Sequence, residues 1–221
     1  MWWVIAVLAC AACGNSGETV FDAKCEPAVL YLDRTGTTYK PGGVDDSSSN
    51  VTPIVDVERT LPPWPHDDID WASLTACIRA GLAPFPVTVT ETDPGMAKHT
   101  EIVFTTSYWG GQAGTTMITS AGCRDSYEVI FLFGNALPTY ARACHLAVRT
   151  YAQITAQLDL VGDCEDFMNN QLDCSEMRTF KDTDSACVDD ADVPMDCRCG
   201  GATQNSYQTL LAATSCPRNS N

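Results

Sequence analysis

Three histidines, twelve cysteines and two acidic stretches are the side chains of this 221-residue sequence best equipped to hold a metal, move a proton or exchange electrons. His66, His99 and His145 lie far apart and share no ligand spacing, so each reads first as a satisfied or partly exposed imidazole. Cys197-Arg198-Cys199 brings two thiols close enough for redox chemistry, but among so many pairable cysteines structural disulfides are the stronger reading. Asp182-Thr183-Asp184 and Asp189-Asp190-Ala191-Asp192 supply oxygen ligands that could surround Ca²⁺. They lack the spacing and the glycine of an EF-hand loop, so a solvated acidic face is favoured and calcium has no further support. No G-x-S-x-G, P-loop or dinucleotide-binding fingerprint is present.

The charge balance narrows the partners. Thirteen Lys+Arg against 28 Asp+Glu leave a net charge of −15, which repels a phosphate backbone and excludes nucleic acid as a leading partner. With 45% apolar and 19% charged residues, the chain has the composition of a globular protein. Its cysteine content points to an oxidising compartment.

Residues 1–12, MWWVIAVLACAA, are uncharged and nearly all apolar, too short to span a bilayer and suited to a lipoprotein-type signal peptide. Leu8-Ala9-Cys10-Ala11-Ala12-Cys13-Gly14 resembles the lipobox of bacterial lipoproteins, although the usual Lys/Arg-bearing start is absent. Lipidation at Cys13 leaves ten cysteines (25, 77, 123, 144, 164, 174, 187, 197, 199 and 216), an even number able to form five bridges, whereas lipidation at Cys10 leaves eleven. The expected location is the bacterial outer membrane or cell surface, with the lipid anchor as membrane partner; secretion without lipid is the rival.

These side chains must be positioned by the segment from 28 to 216, which follows a linker at 13–27 and precedes a tail at 217–221. Strand-like runs occur at Ala28 to Leu32, Val51 to Val57, Val87 to Thr90, Glu101 to Phe104 and Tyr127 to Phe133, with a loop at Gly42 to Asn50. An acidic opening at Asp67 to Asp70 starts one helix, carrying Trp71, Leu74, Cys77, Ile78 and Leu82 at helical spacing. The longest helical pattern begins after Pro138 and runs to about Leu158; a last one covers Ser206 to Ala213. The order predicts an α+β domain of at most three layers with a loop-rich, disulfide-stapled C-terminal part.

Thr150-Tyr151-Ala152-Gln153-Ile154-Thr155-Ala156-Gln157-Leu158-Asp159-Leu160, followed by Asp163-Cys164-Glu165-Asp166-Phe167-Met168, resembles the zinc-binding helix and Met-turn region of metzincin-type metallopeptidases, H-E-x-x-H-x-x-G-L-x-H and then D-x-M. Leu30 to Tyr39, Ala83 to Thr90, His99 to Val103 and Cys199 to Tyr207 are similar, in the same order, to secreted bacterial metzincin-like proteins. The resemblance implies a metzincin-like domain: a twisted mixed sheet, two long helices, and a substrate cleft beside an edge strand, here matched to His99 to Thr105. The motif itself is degenerate. The first ligand position falls on Thr150, the general base on Tyr151, the second ligand on Ile154 and the third on Leu160.

Isoleucine and leucine have no lone pair to give a metal, so zinc is not expected. Tyrosine, with an ordinary pKa near 10, is a poor base at neutral pH. A frame starting at His145 gives His-Leu-Ala-Val-Arg, without the glutamate or the second histidine. The motif glycine falls on Gln157, which either adopts a left-handed conformation at a cost of about 1 kcal/mol or forces a different turn. Met168 is read as a packing floor beneath the former metal site. The expectation is therefore an inactive metallopeptidase-like domain whose cleft binds a peptide or protein; an active secreted zinc metalloendopeptidase with unusual ligands and a structural envelope protein are the alternatives. Its lipid anchor is directly testable: labelled palmitate is expected to enter the protein and to be lost in Cys13→Ser, whereas label retained in that variant contradicts the choice of cysteine.

Overall fold

The computed structural model describes residues 27–64, 70–106, 116–117, 128–133, 139–171, 174 and 178–215. Along the chain these form β1 (Ala28–Asp33), β2 (Thr38–Pro41), β3 (Val51–Thr52), β4 (Arg59–Thr60), α1 (Trp71–Leu82), β5 (Val87–Thr90), β6 (Thr100–Thr105), β7 (Thr116–Met117) and β8 (Val129–Phe133). They continue with α2 (Tyr140–Thr155), β9 (Leu160–Val161), β10 (Asp184–Val188), β11 (Pro194–Met195), β12 (Thr203–Asn205) and α3 (Ser206–Thr214).

The run Val-Ile-Phe-Leu-Phe of β8 offers no polar side to water, the pattern of a strand covered on both faces. Its alternate residues feed two cores. Ile130 and Leu132 join Leu30 and Leu32 of β1 and Ile102 and Phe104 of β6 beneath α1 and α2. Val129, Phe131 and Phe133 join Val103, Tyr39, Val55 and Leu61 on the opposite face. The sheet runs β5-β1-β6-β8-β7, parallel throughout except for antiparallel β7. β6 therefore pairs on both sides, and the expectation that His99 to Thr105 forms an edge is corrected. A strand whose residues from Glu101 to Thr105 are all buried belongs in the interior.

A small sheet, β3-β2-β4, covers the second face, so the fold is α+β with helix, sheet and small-sheet layers. Only Val51–Thr52 of the β-rich 51–57 segment pairs as a strand, because Pro53 has no N–H to continue the ladder. The expected loop at 42–50 contains a 3₁₀ turn at Ser47–Ser49. Beside it, the buried Asp45 carboxylate accepts from the N–H groups of Glu128 and Val129, both at 3.0 Å, at the start of β8.

Asp70 caps α1 by accepting from Ala72 N at 3.0 Å and Ser73 Oγ at 2.5 Å. Cys77–Cys144 ties α1 to α2 across a sequence separation of 67. In the chain-entropy account, closing such a loop stabilises the fold by about 4 kcal/mol. Cys164–Cys174 and Cys187–Cys197 staple the C-terminal part, where β10 pairs with β9, β11 and β12. Cys199 is also disulfide-bonded, whereas Cys25, Cys123 and Cys216 lie outside the described residues. These bridges fit an oxidising, exported environment. No helix among the described residues is long and apolar enough to cross a membrane.

Glu101 lies on the β6 face turned toward the second core, where the Tyr39 hydroxyl donates to its Oε2 at 2.5 Å. Burial pushes its carboxyl up to about 8; the Tyr39 bond opposes that rise, and the negative charges of Asp33, Asp93 and Asp45 add to it. Folding therefore favours protonated Glu101. Its contribution to stability is full below the unfolded value near 4.5 and is lost as pH rises through about 8. Urea unfolding across this window is expected to show falling stability, with that slope reduced in Glu101→Gln; an unchanged slope in the variant would assign the linkage elsewhere.

Candidate functional site

The motif positions converge at the end of α2. Thr139 starts this helix from an extended conformation, its Oγ1 accepting from Arg142 N at 3.3 Å. The helix ends at Thr155, earlier than its apolar pattern predicts, because Gln157 turns left-handed with φ of 55°. Of the two outcomes expected at Gln157, the left-handed one is observed. The segment beyond it is clasped by Gln204: Asp159 N donates to Gln204 Oε1 at 3.0 Å, and Gln204 Nε2 donates to Asp159 O at 2.7 Å. Buried Asp159 also accepts from Arg198 N and forms an ion pair with its guanidinium at 3.2 Å.

Thr150, Tyr151, Ile154 and Leu160 are all buried. Ile154 belongs to the apolar cluster containing Leu158, Val161 and Met168. Leu160 stands opposite Val188 in the β9–β10 ladder. Met168 is fully enclosed; its N–H donates to Asp166 Oδ1 at 2.8 Å, and its carbonyl accepts from Val161 N at 3.2 Å. This donor set does not fit zinc: Thr150 offers one hydroxyl, and the other two ligand positions offer hydrocarbon. Among the described residues, no three His, Cys, Asp or Glu side chains gather where they could hold a metal ion. Burial drives the Tyr151 phenol up to about 12, slightly relieved by Thr155, which removes it further from the range of a base at neutral pH.

The structure separates the histidines. His66 lies outside the described residues; His99 is buried at the start of β6, its Nδ1 at 2.7 Å from Ala97 O. His145 is buried on the α2 face it shares with Arg142 and Arg149, an arrangement visible in their i, i+3 and i+7 spacing but missed when the histidine is considered alone. Its Nε2 lies 3.0 Å from Phe167 O and 2.9 Å from Arg178 Nη1. One tautomer donates to the carbonyl and the other accepts from the guanidinium; a single nitrogen of the neutral ring cannot do both. Burial, then Arg178, Arg149 and Arg142, hold this imidazole down at about 3, so it is neutral at physiological pH.

The acidic stretches act locally. Asp182 Oδ1 accepts from Asn205 Nδ2 and Gln208 Nε2, while Asp189 Oδ1 accepts from Ala191 N and Val193 N within a turn. Cys197 and Cys199 are not joined to each other, because Cys197 pairs with Cys187. Cys13, the lipidation candidate, lies outside the described residues.

No protein family, curated protein or solved structure matches the chain. Packing around the motif is nevertheless measurable. Ile154→Ala is expected to lower unfolding free energy by about 2–4 kcal/mol, as for a fully buried aliphatic side chain. Gln157→Gly is expected to raise it by up to about 1 kcal/mol, because relief of the left-handed conformation outweighs glycine's greater unfolded-state entropy. Both effects are read from denaturant titrations at constant pH.

Proposed function

We propose that this protein is an exported lipoprotein, anchored through Cys13, with a metzincin-like but catalytically inactive domain that binds an extended peptide segment at the former substrate cleft. One observation carries the reading. Gln157 takes the left-handed turn of the motif glycine, while the surrounding ligand positions have become the buried, largely apolar set Thr150, Ile154 and Leu160. A left-handed turn where the resemblance expects glycine, beside side chains that pack rather than coordinate, supports this reading. The mixed sheet with α1 and α2 on one face also fits the architecture implied by the resemblance.

The peptide site belongs beside β7, because β6 is interior. β7 pairs with β8, and no strand among the described residues pairs with its other side. Backbone N–H and C=O groups along such an edge bind an extended segment through main-chain hydrogen bonds. Cleavage would require an activated water and a base, for which neither Ile154 nor Tyr151 is suited.

Isothermal titration against a library of extended peptides, followed by mass spectrometry, tests this role. Saturable binding at about 10–100 μM, loss of binding on peptide backbone N-methylation and intact recovered peptides are expected. Failure of every peptide to bind, or recovery of cleaved peptide, would overturn the reading.

A further inference from the structure

Residues 38–60 form an internally bonded unit laid on the second face of the central sheet. β2 pairs with β3 and β4, the Thr38 and Thr60 hydroxyls lie 2.8 Å apart, and Asp46 caps the 3₁₀ turn by accepting from Ser48 N at 3.0 Å. The neck of the unit is closed by Leu61 N donating to Thr37 O and Trp64 N donating to Arg34 O, both at 2.9 Å. Among the described residues, no backbone hydrogen bond joins it to β1, β5, β6 or β8. Such a unit can leave the sheet without breaking its own ladders.

Side chains make the polar attachments. Asp45 accepts from the first amides of β8, Ser47 Oγ donates to His99 O at 2.6 Å, and the Tyr39 hydroxyl donates to Glu101 Oε2. Tyr39 also stands in the second core, edge-on to Phe131. It thus joins the cover to β6 by one hydrogen bond and one aromatic contact, and the hydrogen bond ends on a carboxyl only 2% exposed.

The groups around Glu101 suit a neutral carboxyl. Tyr31 and Asp33 of β1, Tyr39 of β2, Asp45 after β2 and Asp93 after β5 all act on it. His99, just before β6, lies edge-on to Tyr31 at 6.0 Å, and Glu128, just before β8, pairs with Lys98 at 3.6 Å. No Lys or Arg among the described residues pairs with Glu101 itself. Burial above all drives both phenols well above their ordinary value, so they stay neutral while Glu101 titrates. An ionised Glu101 keeps one donor, the Tyr39 hydroxyl, while facing three other acidic side chains out of reach of water, and lifting the cover restores its hydration.

We propose that the β3-β2-β4 sheet is a proton-operated cover, docked while Glu101 carries its proton and lifted from the central sheet when Glu101 ionises. The folded value near 8 stands above the ordinary 4.5, so the advantage of docking is full below about pH 4.5 and is lost as pH rises through about 8. The device does not depend on peptide binding at β7.

Hydrogen exchange read by mass spectrometry on the oxidised full-length protein tests this, with rates corrected for the intrinsic pH dependence of amide exchange. Between pH 7 and 9, protection in residues 38–60 is expected to fall about tenfold, and at pH 9 to lie at least about tenfold below that of α1 and α2. Glu101→Gln still offers Tyr39 an acceptor but has no proton to lose, so its cover protection is expected to stay constant over this range. If that variant does not fold, the Glu101 carboxyl resonance of side-chain ¹³C-labelled wild-type protein decides: its midpoint is expected to match the pH at which cover protection levels off. Constant protection in 38–60 of the wild type, protection equal to that of α1 and α2, a fall that persists in folded Glu101→Gln, or a resonance midpoint more than about one pH unit from the levelling point would overturn the proposal.

Discussion

Two-sided burial of β6 and β8 governs this architecture. A parallel strand with apolar side chains on both faces requires two covers, because leaving either face wet would expose large hydrocarbon surface. On one face the cover is the helix pair α1 and α2, joined by Cys77–Cys144. On the other it is the small β3-β2-β4 sheet, with Tyr39 set edge-on to Phe131 at 5.0 Å and the nearby Asp45 carboxylate receiving the first amides of β8. Strict alternation also places Glu101 in the second core. Its proton is therefore a consequence of strand geometry.

The two covers have opposite protonation requirements. Glu101 favours the folded state when it carries a proton, whereas His145, beside three arginines, favours it when neutral. With its folded value held near 3 against an ordinary 6.5, His145 contributes stability that is present above about pH 6.5 and declines as pH falls toward 3. The groups therefore oppose one another through mildly acidic pH.

The elements legible in the sequence are those whose patterns extend over several residues. The runs of β1 and β8 and the helical spacing of α1 and α2 identify the principal layers because burial selects such periodicity directly. The placement of β6 was less legible: apolar composition identifies a strand but not its neighbours, and the parallel partners come from distant segments. The left-handed turn at Gln157 and the Asp159–Gln204 clasp that follows it were not legible, because the clasp joins residues 45 apart and carries no local signal. His145 appeared isolated because its context includes Arg178, brought near by the fold after α2. Disulfide connectivity was similarly inaccessible, since an even number of cysteines constrains parity but not pairing.

We propose that the end of α2 keeps the turn of a zinc-binding motif around a core that folds without metal. Elemental analysis of oxidised, folded protein purified without added chelator tests it most directly. The account predicts zinc far below one equivalent and an unfolding midpoint unchanged by chelator. One tightly held zinc per chain, with chelator-sensitive cleavage of a protein substrate, would contradict it.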